Sequence, residues 1–292
     1  MNAKAELFVD SRCELGEGPF WHPLLKRLFW FDILNQSLLS ADANGHLVDR
    51  FTFKQPASAA AVIDEQTLAV ATAGAILRFD VTTDTSTVMV PLEEDEPGNR
   101  TNDGRVNPAG GFWIGTMSRR GGQDEGVGAV YQYRAGELQT VLDGITIPNS
   151  ICFSPDGRIA YFADTMTDTI RRCAIDPATG LPVGEWTDFA VTAGLGSPDG
   201  SVVDSQGYLW NARWGGSCVV RHAPDGSIDR VVELPVSRVT CPAFGGDDLK
   251  TLYITSAREH MTPEELEREP LAGSVFSIGV DVPGQPETLL KL

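Results

Sequence analysis

Short apolar runs separated by polar turns dominate the chain, and one unit of this kind recurs six times. Each unit is an apolar strand, a turn and a second apolar strand, as in FWHPLLKRLFWFD. The residues that mark the six turns are His22, Asp64, Asn107, Ser154, Asp204 and Gly246, with successive spacings of 42, 43, 47, 50 and 42. A period of roughly 40 to 50 residues, with a strand hairpin in each repeat, is typical of β-propeller blades.

Further strand-like pairs lie between these units, for example VVRHAPDGSIDRVVEL, and they raise the expected number to about four antiparallel strands per blade. The sequence therefore predicts an all-β protein, with residues 1–292 forming a single six-bladed β-propeller domain. The terminal segments AELFVD and PETLLKL are strand-like but have no complete blade of their own. We expect these N- and C-terminal strands to pair and close the ring, because pairing covers exposed sheet edges.

One helix is predicted, a short one in MTPEELEREP. Thr262 would be its N-cap, Pro263 its first residue and Glu265 the partner in a capping box.

One position in each repeat lies five residues before the turn marker, where the innermost strand would begin at the central channel. These six positions are Glu17, Ala59, Asn102, Asn149, Asp199 and Cys241. Four of them carry side-chain oxygens, and burying such groups together costs several kcal/mol unless something satisfies them. Water could satisfy any one of them. Two carboxylates and two amides at one level favour a hard divalent cation instead.

Glu17 also stands between Gly16 and Gly18. Glycine on both sides permits close backbone approach and unusual dihedral angles. We expect these glycines to bring the strand close to the channel axis and Glu17 to be a metal ligand.

Composition narrows the range of partners. The 292-residue chain has a formal net charge of -17 with dispersed basic residues, which disfavours nucleic acid and anionic membrane surfaces. Five widely spaced cysteines without a CxxC motif indicate reduced, structural thiols. The start of the chain lacks an apolar signal core, and no segment approaches the roughly 18 apolar residues of a membrane span. We expect a cytoplasmic protein that is a monomer or a weak homo-oligomer.

Five segments resemble the gluconolactonase, regucalcin and luciferin-regenerating enzyme family in sequence and order: LGEGPFW, RTNDGRVNPAGGFWIGTM, IPNSICFSPDG, SPDGSVVDSQGYLW and CPAFGGDDLKTLYITSAR. The resemblance implies a six-bladed propeller with one divalent metal ion in the channel mouth. It assigns the metal ligands to Glu17, Asn149 and Asp199, the substrate contacts to Arg100 and Asn102, and the catalytic acid/base to Asp199.

Two positions depart from the family pattern. Ser150 stands in IPNS where many members have glycine, and Ser118, Arg119 and Arg120 follow GTM where animal relatives place a glutamate over the substrate. The second departure leaves the choice of sugar open.

The expected function is divalent-metal-dependent hydrolysis of a sugar-acid lactone, such as gluconolactone, xylonolactone or arabinolactone, to the free aldonic acid. Ca²⁺ is the first choice of ion, and Zn²⁺, Mn²⁺ and Mg²⁺ are alternatives. Either Asp199 or an ion-bound hydroxide could activate the water. A phosphotriesterase-like hydrolase and a non-catalytic propeller that binds a metal or a partner are the alternative functions. The chain contains no GxSxG, HExxH or phosphate-loop motif.

Overall fold

The computed structural model describes residues 3–292, which form six β-sheets built almost entirely of antiparallel strand pairs. The two N-terminal strands are β1 (Ala3–Lys4) and β2 (Glu6–Val9). Blade 1 contains β3 (Gly16–His22), β4 (Arg27–Asp32), β5 (Ser37–Ala41) and β6 (Leu47–Thr52). Blade 2 contains β7 (Ala57–Val62), β8 (Thr67–Thr72), β9 (Gly74–Asp80) and β10 (Thr85–Leu92). Blade 3 contains β11 (Asn99–Val106), β12 (Phe112–Ser118), β13 (Gly128–Arg134) and β14 (Glu137–Ile145).

The remaining blades follow the same plan. Blade 4 contains β15 (Pro148–Phe153), β16 (Ile159–Asp164), β17 (Thr169–Ala174) and β18 (Thr187–Val191). Blade 5 contains β19 (Ser197–Val203), β20 (Leu209–Trp214), β21 (Cys218–His222) and β22 (Ile228–Glu233). Blade 6 contains β23 (Val239–Gly245), β24 (Thr251–Ser256) and β25 (Val275–Gly279). The first strands of successive blades contact one another in a closed ring, which confirms the predicted six-bladed β-propeller.

The N-terminal strand closes this ring, as predicted, but its partner differs from the predicted one. Strand β2 pairs antiparallel with β25, with Leu7 opposite Phe276, and is the fourth strand of blade 6. The expected partner, residues 286–292, contains no strand. The physical reason is that Pro286 cannot donate to a sheet ladder and that the N–H groups of Leu290 and Lys291 bond to carbonyl groups in blades 2 and 3 instead. Strand β1 makes a further, parallel pair with β22, so blade 5 has five strands.

The C-terminal segment instead crosses from blade to blade. The Leu290 N–H donates to the Val62 carbonyl at 2.8 Å, and the Lys291 N–H donates to the Gly110 carbonyl at 3.0 Å. Leu290 itself is buried among the apolar side chains of blades 2 and 3. Burial of this leucine and separate backbone hydrogen bonds, rather than strand pairing, hold the end of the chain.

The repeat predicted from the sequence has a direct structural counterpart. In all six innermost strands the register with the next strand shifts near the strand start, which is the mark of a β-bulge. Each of the six predicted channel positions lies within or next to the register shift of its strand. Asn149, for example, is the last paired residue before the shift in β15. A bulge redirects the side chains beside it, so these positions leave the regular alternation of the strand.

Apolar side chains between the blades form the core, and Trp30, Trp113 and Trp210 are among its largest fully buried members. All five cysteines are buried and free. The predicted helix is α1 (Pro263–Arg268), and Thr262 and Glu265 form its capping box as expected. No helix in residues 3–292 has the length and apolar character needed to cross a bilayer.

Candidate active site

A cavity of about 340 Å³ collects the predicted site residues. Its lining includes Glu17, Arg100, Asn102, Asn149 and Asp199. Apolar side chains complete part of the wall, namely Leu15, Met117, Ile147 and Trp214. Ala59 and Cys241, the two apolar ring positions, do not line it. Five polar side chains predicted from sequence therefore share one cavity large enough for a small molecule.

Glu17 and Asp199 form a buried carboxylate pair. Each side chain is less than a tenth exposed, and the two carboxyl groups are close enough to hydrogen-bond to each other. Burial raises the pKa of both groups, and nearby negative charges, Asp103 beside Glu17 and Glu17 beside Asp199, raise them further. Such a pair needs either a proton or a cation, since two adjacent buried negative charges are costly.

The glycines beside Glu17 allow close contact with the neighbouring blades. A Cβ on Gly16 would lie 2.5 Å from the Ser256 carbonyl oxygen of blade 6. Gly18 has a φ of 53°, and a Cβ there would collide with the Ser58 carbonyl oxygen of blade 2. Its N–H donates to Glu17 Oε2 at 2.8 Å. These glycines let the two adjacent blades approach the strand that carries Glu17.

A chain of hydrogen bonds orients the amides. Arg100 Nη1 donates to Asn102 Oδ1 at 2.8 Å, and Asn102 Nδ2 donates to Asn149 Oδ1 at 3.1 Å. Asn149 Nδ2 then donates to Thr165 Oγ1 at 2.8 Å. Asn102 Nδ2 also donates to the Pro148 carbonyl at 3.0 Å, so both of its N–H groups have protein acceptors. Oδ1 of Asn102 and Oδ1 of Asn149 each accept one hydrogen bond from the protein, so each has one lone pair left for a ligand.

Ser150 explains the departure from glycine in IPNS. Its φ is 60°, the left-handed region that glycine adopts most readily. Its buried hydroxyl donates to the backbone carbonyl of Asp199 at 2.7 Å. Asn211 Nδ2 donates to the same carbonyl at 2.9 Å. The serine therefore combines an unfavourable backbone angle with a hydrogen bond that holds the backbone of Asp199.

Several residues of this region were missed from the sequence. Asp103 is buried next to Asn102, accepts a hydrogen bond from the Ile151 N–H at 2.8 Å, and has a pKa raised to about 6 by burial. The sequence comparison takes only the residue five positions before each turn marker, which is Asn102 in this strand, so it does not select Asp103. Thr165, Trp214 and Glu259 line the cavity from outside the innermost strands, where the repeat comparison does not reach.

Two arginines border the cavity on the lid segment, residues 119–124, which contains a 3-10 helix over Gly121–Gln123. Arg119 Nε donates to the Asn99 carbonyl at 3.1 Å, and its Nη2 donates to Gln55 Oε1 at 3.0 Å. Arg120 pairs with Asp124 at 3.2 Å. The two arginines that follow GTM in the sequence thus lie at the edge of the cavity.

Other candidates lie elsewhere. Asp204 closes its turn by accepting from the Gln206 N–H at 3.0 Å and pairs with Arg221 at 2.6 Å. His22 likewise accepts backbone N–H groups within its own turn. Both have the structural roles expected of turn residues. Within residues 3–292 no three His, Cys, Asp or Glu side chains form a group that could hold a metal ion. An ion held by Glu17 and Asp199 would therefore take a third protein ligand from another kind of oxygen, such as the Asn149 amide that lines the same cavity.

The fold and this site define a class: a six-bladed β-propeller with a polar, carboxylate-containing cavity among its innermost strands. Residues 15–258 match the family described as the SMP-30/Gluconolactonase/LRE-like region, and the chain belongs to that family.

Known proteins resemble the chain over nearly its full length. A 6-deoxy-6-sulfogluconolactonase from Pseudomonas putida is 35% identical over 99% of this chain and 99% of its own. An L-arabinolactonase from Azospirillum brasilense is 35% identical over 94% of this chain and 91% of its own. The crystal structure of a calcium-binding protein, regucalcin, from Agrobacterium tumefaciens superposes with a TM-score of 0.95 at 38% identity, covering 100% of this chain and 98% of that one.

Proposed function

We propose that this protein is a divalent-metal-dependent lactonase that hydrolyses a sugar-acid lactone to the free aldonic acid. The enzyme class is that of its curated relatives, a lactonase. The observation that carries the proposal is the buried Glu17–Asp199 pair, which shares a cavity with Asn149, Asn102 and Arg100. Gluconolactone, xylonolactone and arabinolactone are the neutral candidates for the substrate.

The donor set suits a hard divalent cation. Two carboxylates and the Asn149 amide oxygen offer oxygen ligands only, which favours Ca²⁺, with Mg²⁺, Mn²⁺ and Zn²⁺ as alternatives. An ion would also neutralise negative charge that is costly here, because burial first and nearby carboxylates second raise the pKa values of Glu17 and Asp199. The calcium-binding description of the regucalcin structure points in the same direction. When bound, the ion would polarise the lactone carbonyl and stabilise negative charge on its oxygen.

The side chains divide the remaining work. Asp199 takes a proton from the attacking water as the oxygen of that water bonds to the carbonyl carbon, and it returns the proton to the ring oxygen as the ring C–O bond breaks. The new carboxylic acid then ionises to solvent. Burial raises the pKa of Asp199 toward the range of an effective base, and a nearby cation lowers it again.

Arg100 and Asn102 position the substrate. Asn102 Oδ1 can accept a hydrogen bond from a sugar hydroxyl, because the N–H groups of this side chain are already used. Arg100 offers guanidinium donors suited to a lactone oxygen or to the carboxylate of the product.

The test is hydrolysis of an aldonolactone panel by purified protein after chelation and after adding back each ion in turn. We expect activity with at least one aldonolactone, loss of that activity on chelation, and recovery with Ca²⁺ or another divalent ion. Hydrolysis of a phosphotriester in place of every lactone would favour the phosphotriesterase alternative. No hydrolysis with any ion would favour a binding propeller.

A further inference from the structure

The cavity gathers three arginines on a strongly acidic protein, beside three carboxylates, Glu17, Asp199 and Glu259. The chain carries a net charge of -17, yet Arg100, Arg119 and Arg120 all line this one cavity. An acidic surface repels anions, so a local concentration of arginines affects which ligands enter.

Arg100 and Arg119 have no carboxylate within ion-pair distance among the residues that the structure describes. Arg100 is only 7% exposed, and its Nη1 donates to the Thr101 carbonyl at 2.9 Å and to Asn102 Oδ1. A guanidinium has five N–H donors, so three remain on this buried side chain. A buried charge of this kind ordinarily has a partner.

Arg119 is held in place by neutral partners. Its two hydrogen bonds go to the Asn99 carbonyl and the Gln55 amide oxygen, which fix the guanidinium without neutralising it. Arg120 differs, because Asp124 already balances its charge. Arg119 is therefore the exposed, oriented and uncompensated positive charge at the edge of the cavity.

The acidic side chains of the cavity do not cancel the charge of Arg119 once the proposed function operates, although Glu259 acts on Arg100. Glu17 and Asp199 are then engaged by the divalent ion, which leaves Glu259 as the remaining carboxylate on the lining. Neutral sugar hydroxyls do not need an unpaired guanidinium, whereas planar oxyanions match its forked donors. Arg100 would bind the lactone oxygen or the carboxylate formed from it. Arg119 is then available to bind a second anionic group of the substrate.

We propose that Arg119 binds an oxyanion substituent of the substrate, so that the preferred substrates are sugar lactones carrying a second acidic group away from the reacting carbonyl. Carboxylate and sulfonate share the chemistry that Arg119 would recognise. This inference rests on the proposed lactonase function and adds its substrate class.

The experiment compares three lactones of the same sugar: the neutral one, one with a terminal carboxylate and one with a terminal sulfonate. We expect kcat/KM of the metal-loaded enzyme to be at least about tenfold higher for an acidic lactone. Arg119→Gln should lower kcat/KM for the acidic lactone about tenfold, mainly through a higher KM. It should change kcat/KM for the neutral lactone by less than about twofold. The matched control, Arg134→Gln, removes an equal charge outside the cavity and should change neither value.

Binding provides a second readout that does not depend on turnover. The dicarboxylate product should raise the melting temperature of the wild type more than the monocarboxylate product does, and Arg119→Gln should remove the difference. Equal kcat/KM for neutral and acidic lactones would overturn the subsite, as would an Arg119→Gln variant that loses both activities alike. If no lactone is hydrolysed, the proposed function fails, and equal stabilisation by the two products would then overturn the subsite as well.

Discussion

Replacement of Ser150 tests whether its hydroxyl positions Asp199. The wild-type residue has a φ of 60° and donates to the Asp199 carbonyl at 2.7 Å. Its oxygen also accepts from Asn211 Nδ2 at 3.1 Å. Alanine would keep the backbone strain and lose the hydrogen bonds, whereas glycine would lose the hydrogen bonds and relieve the strain.

The expected changes in the free energy of unfolding follow from the backbone strain and from the lost hydrogen bonds. The left-handed conformation costs a non-glycine residue roughly 1–2 kcal/mol, and a hydrogen bond contributes about 1 kcal/mol. Glycine adds a cost of about 0.5–1 kcal/mol in chain entropy. The free energy of unfolding of Ser150→Gly should therefore lie within about 1 kcal/mol of that of the wild type. Ser150→Ala should be destabilised by about 1–3 kcal/mol, because buried polar groups lose a partner.

Thermal unfolding and steady-state hydrolysis provide the assay. For a chain of this size we expect Ser150→Ala to melt roughly 2–4 °C below Ser150→Gly per kcal/mol of difference. Both variants should have a lower kcat with KM nearly unchanged, since each removes a hydrogen bond to the Asp199 backbone. The reasoning is refuted if the alanine variant is the more stable of the two, or if both hydrolyse at the wild-type rate.

Three further predictions concern the ion, the substrate and the C-terminal segment. Because the pKa values of Glu17 and Asp199 are raised in the folded state, the metal-free protein should lose stability as pH rises above the ordinary carboxyl range of about 4; calorimetry should therefore show a larger metal-induced rise in melting temperature at pH 8 than at pH 5, and a pH-independent rise would contradict this. Asn102→Ala should raise KM for a lactone about tenfold with a smaller change in kcat, and an unchanged KM would exclude its contact with substrate. Glu287→Gln should lower the free energy of unfolding in urea by about 2–3 kcal/mol, less than for a fully buried pair, because it removes the carboxylate 3.1 Å from Nη1 of the largely buried Arg105; a loss below about 0.5 kcal/mol would show that the pair is not important for stability.

The architecture was predictable because the repeat is long, regular and built from local hairpins. Six turn markers set the blade frame, and the structure has a bulged innermost strand in each of the six repeats. The path of residues 286–292 was not predictable, because a strand-like apolar pattern does not distinguish ladder pairing from burial of one leucine. Leu290 lies in the core of other blades, and that contact spans most of the chain length.

The site was predictable where the repeat places it and not elsewhere. Glu17, Asn102, Asn149 and Asp199 share an offset, and all four line one cavity. Asp103 escaped because a bulge alters which neighbouring residues turn inward, and the alternation rule does not anticipate this. Side chains contributed by loops carry no periodic signal at all. The uncompensated charge of Arg119 depends on which partners fold beside it.

The central claim is tested most directly by Asp199→Asn, which keeps an oxygen ligand but removes a charge and a proton acceptor. The measurement is kcat for the best aldonolactone at saturating metal, with bound metal and melting temperature determined for each variant, and with exposed Asp225→Asn as the matched control. We predict a fall of about 10²–10⁴-fold for Asp199→Asn with the fold intact, and wild-type activity for Asp225→Asn. An Asp199→Asn protein that binds its ion and hydrolyses the lactone at the wild-type rate would contradict the account.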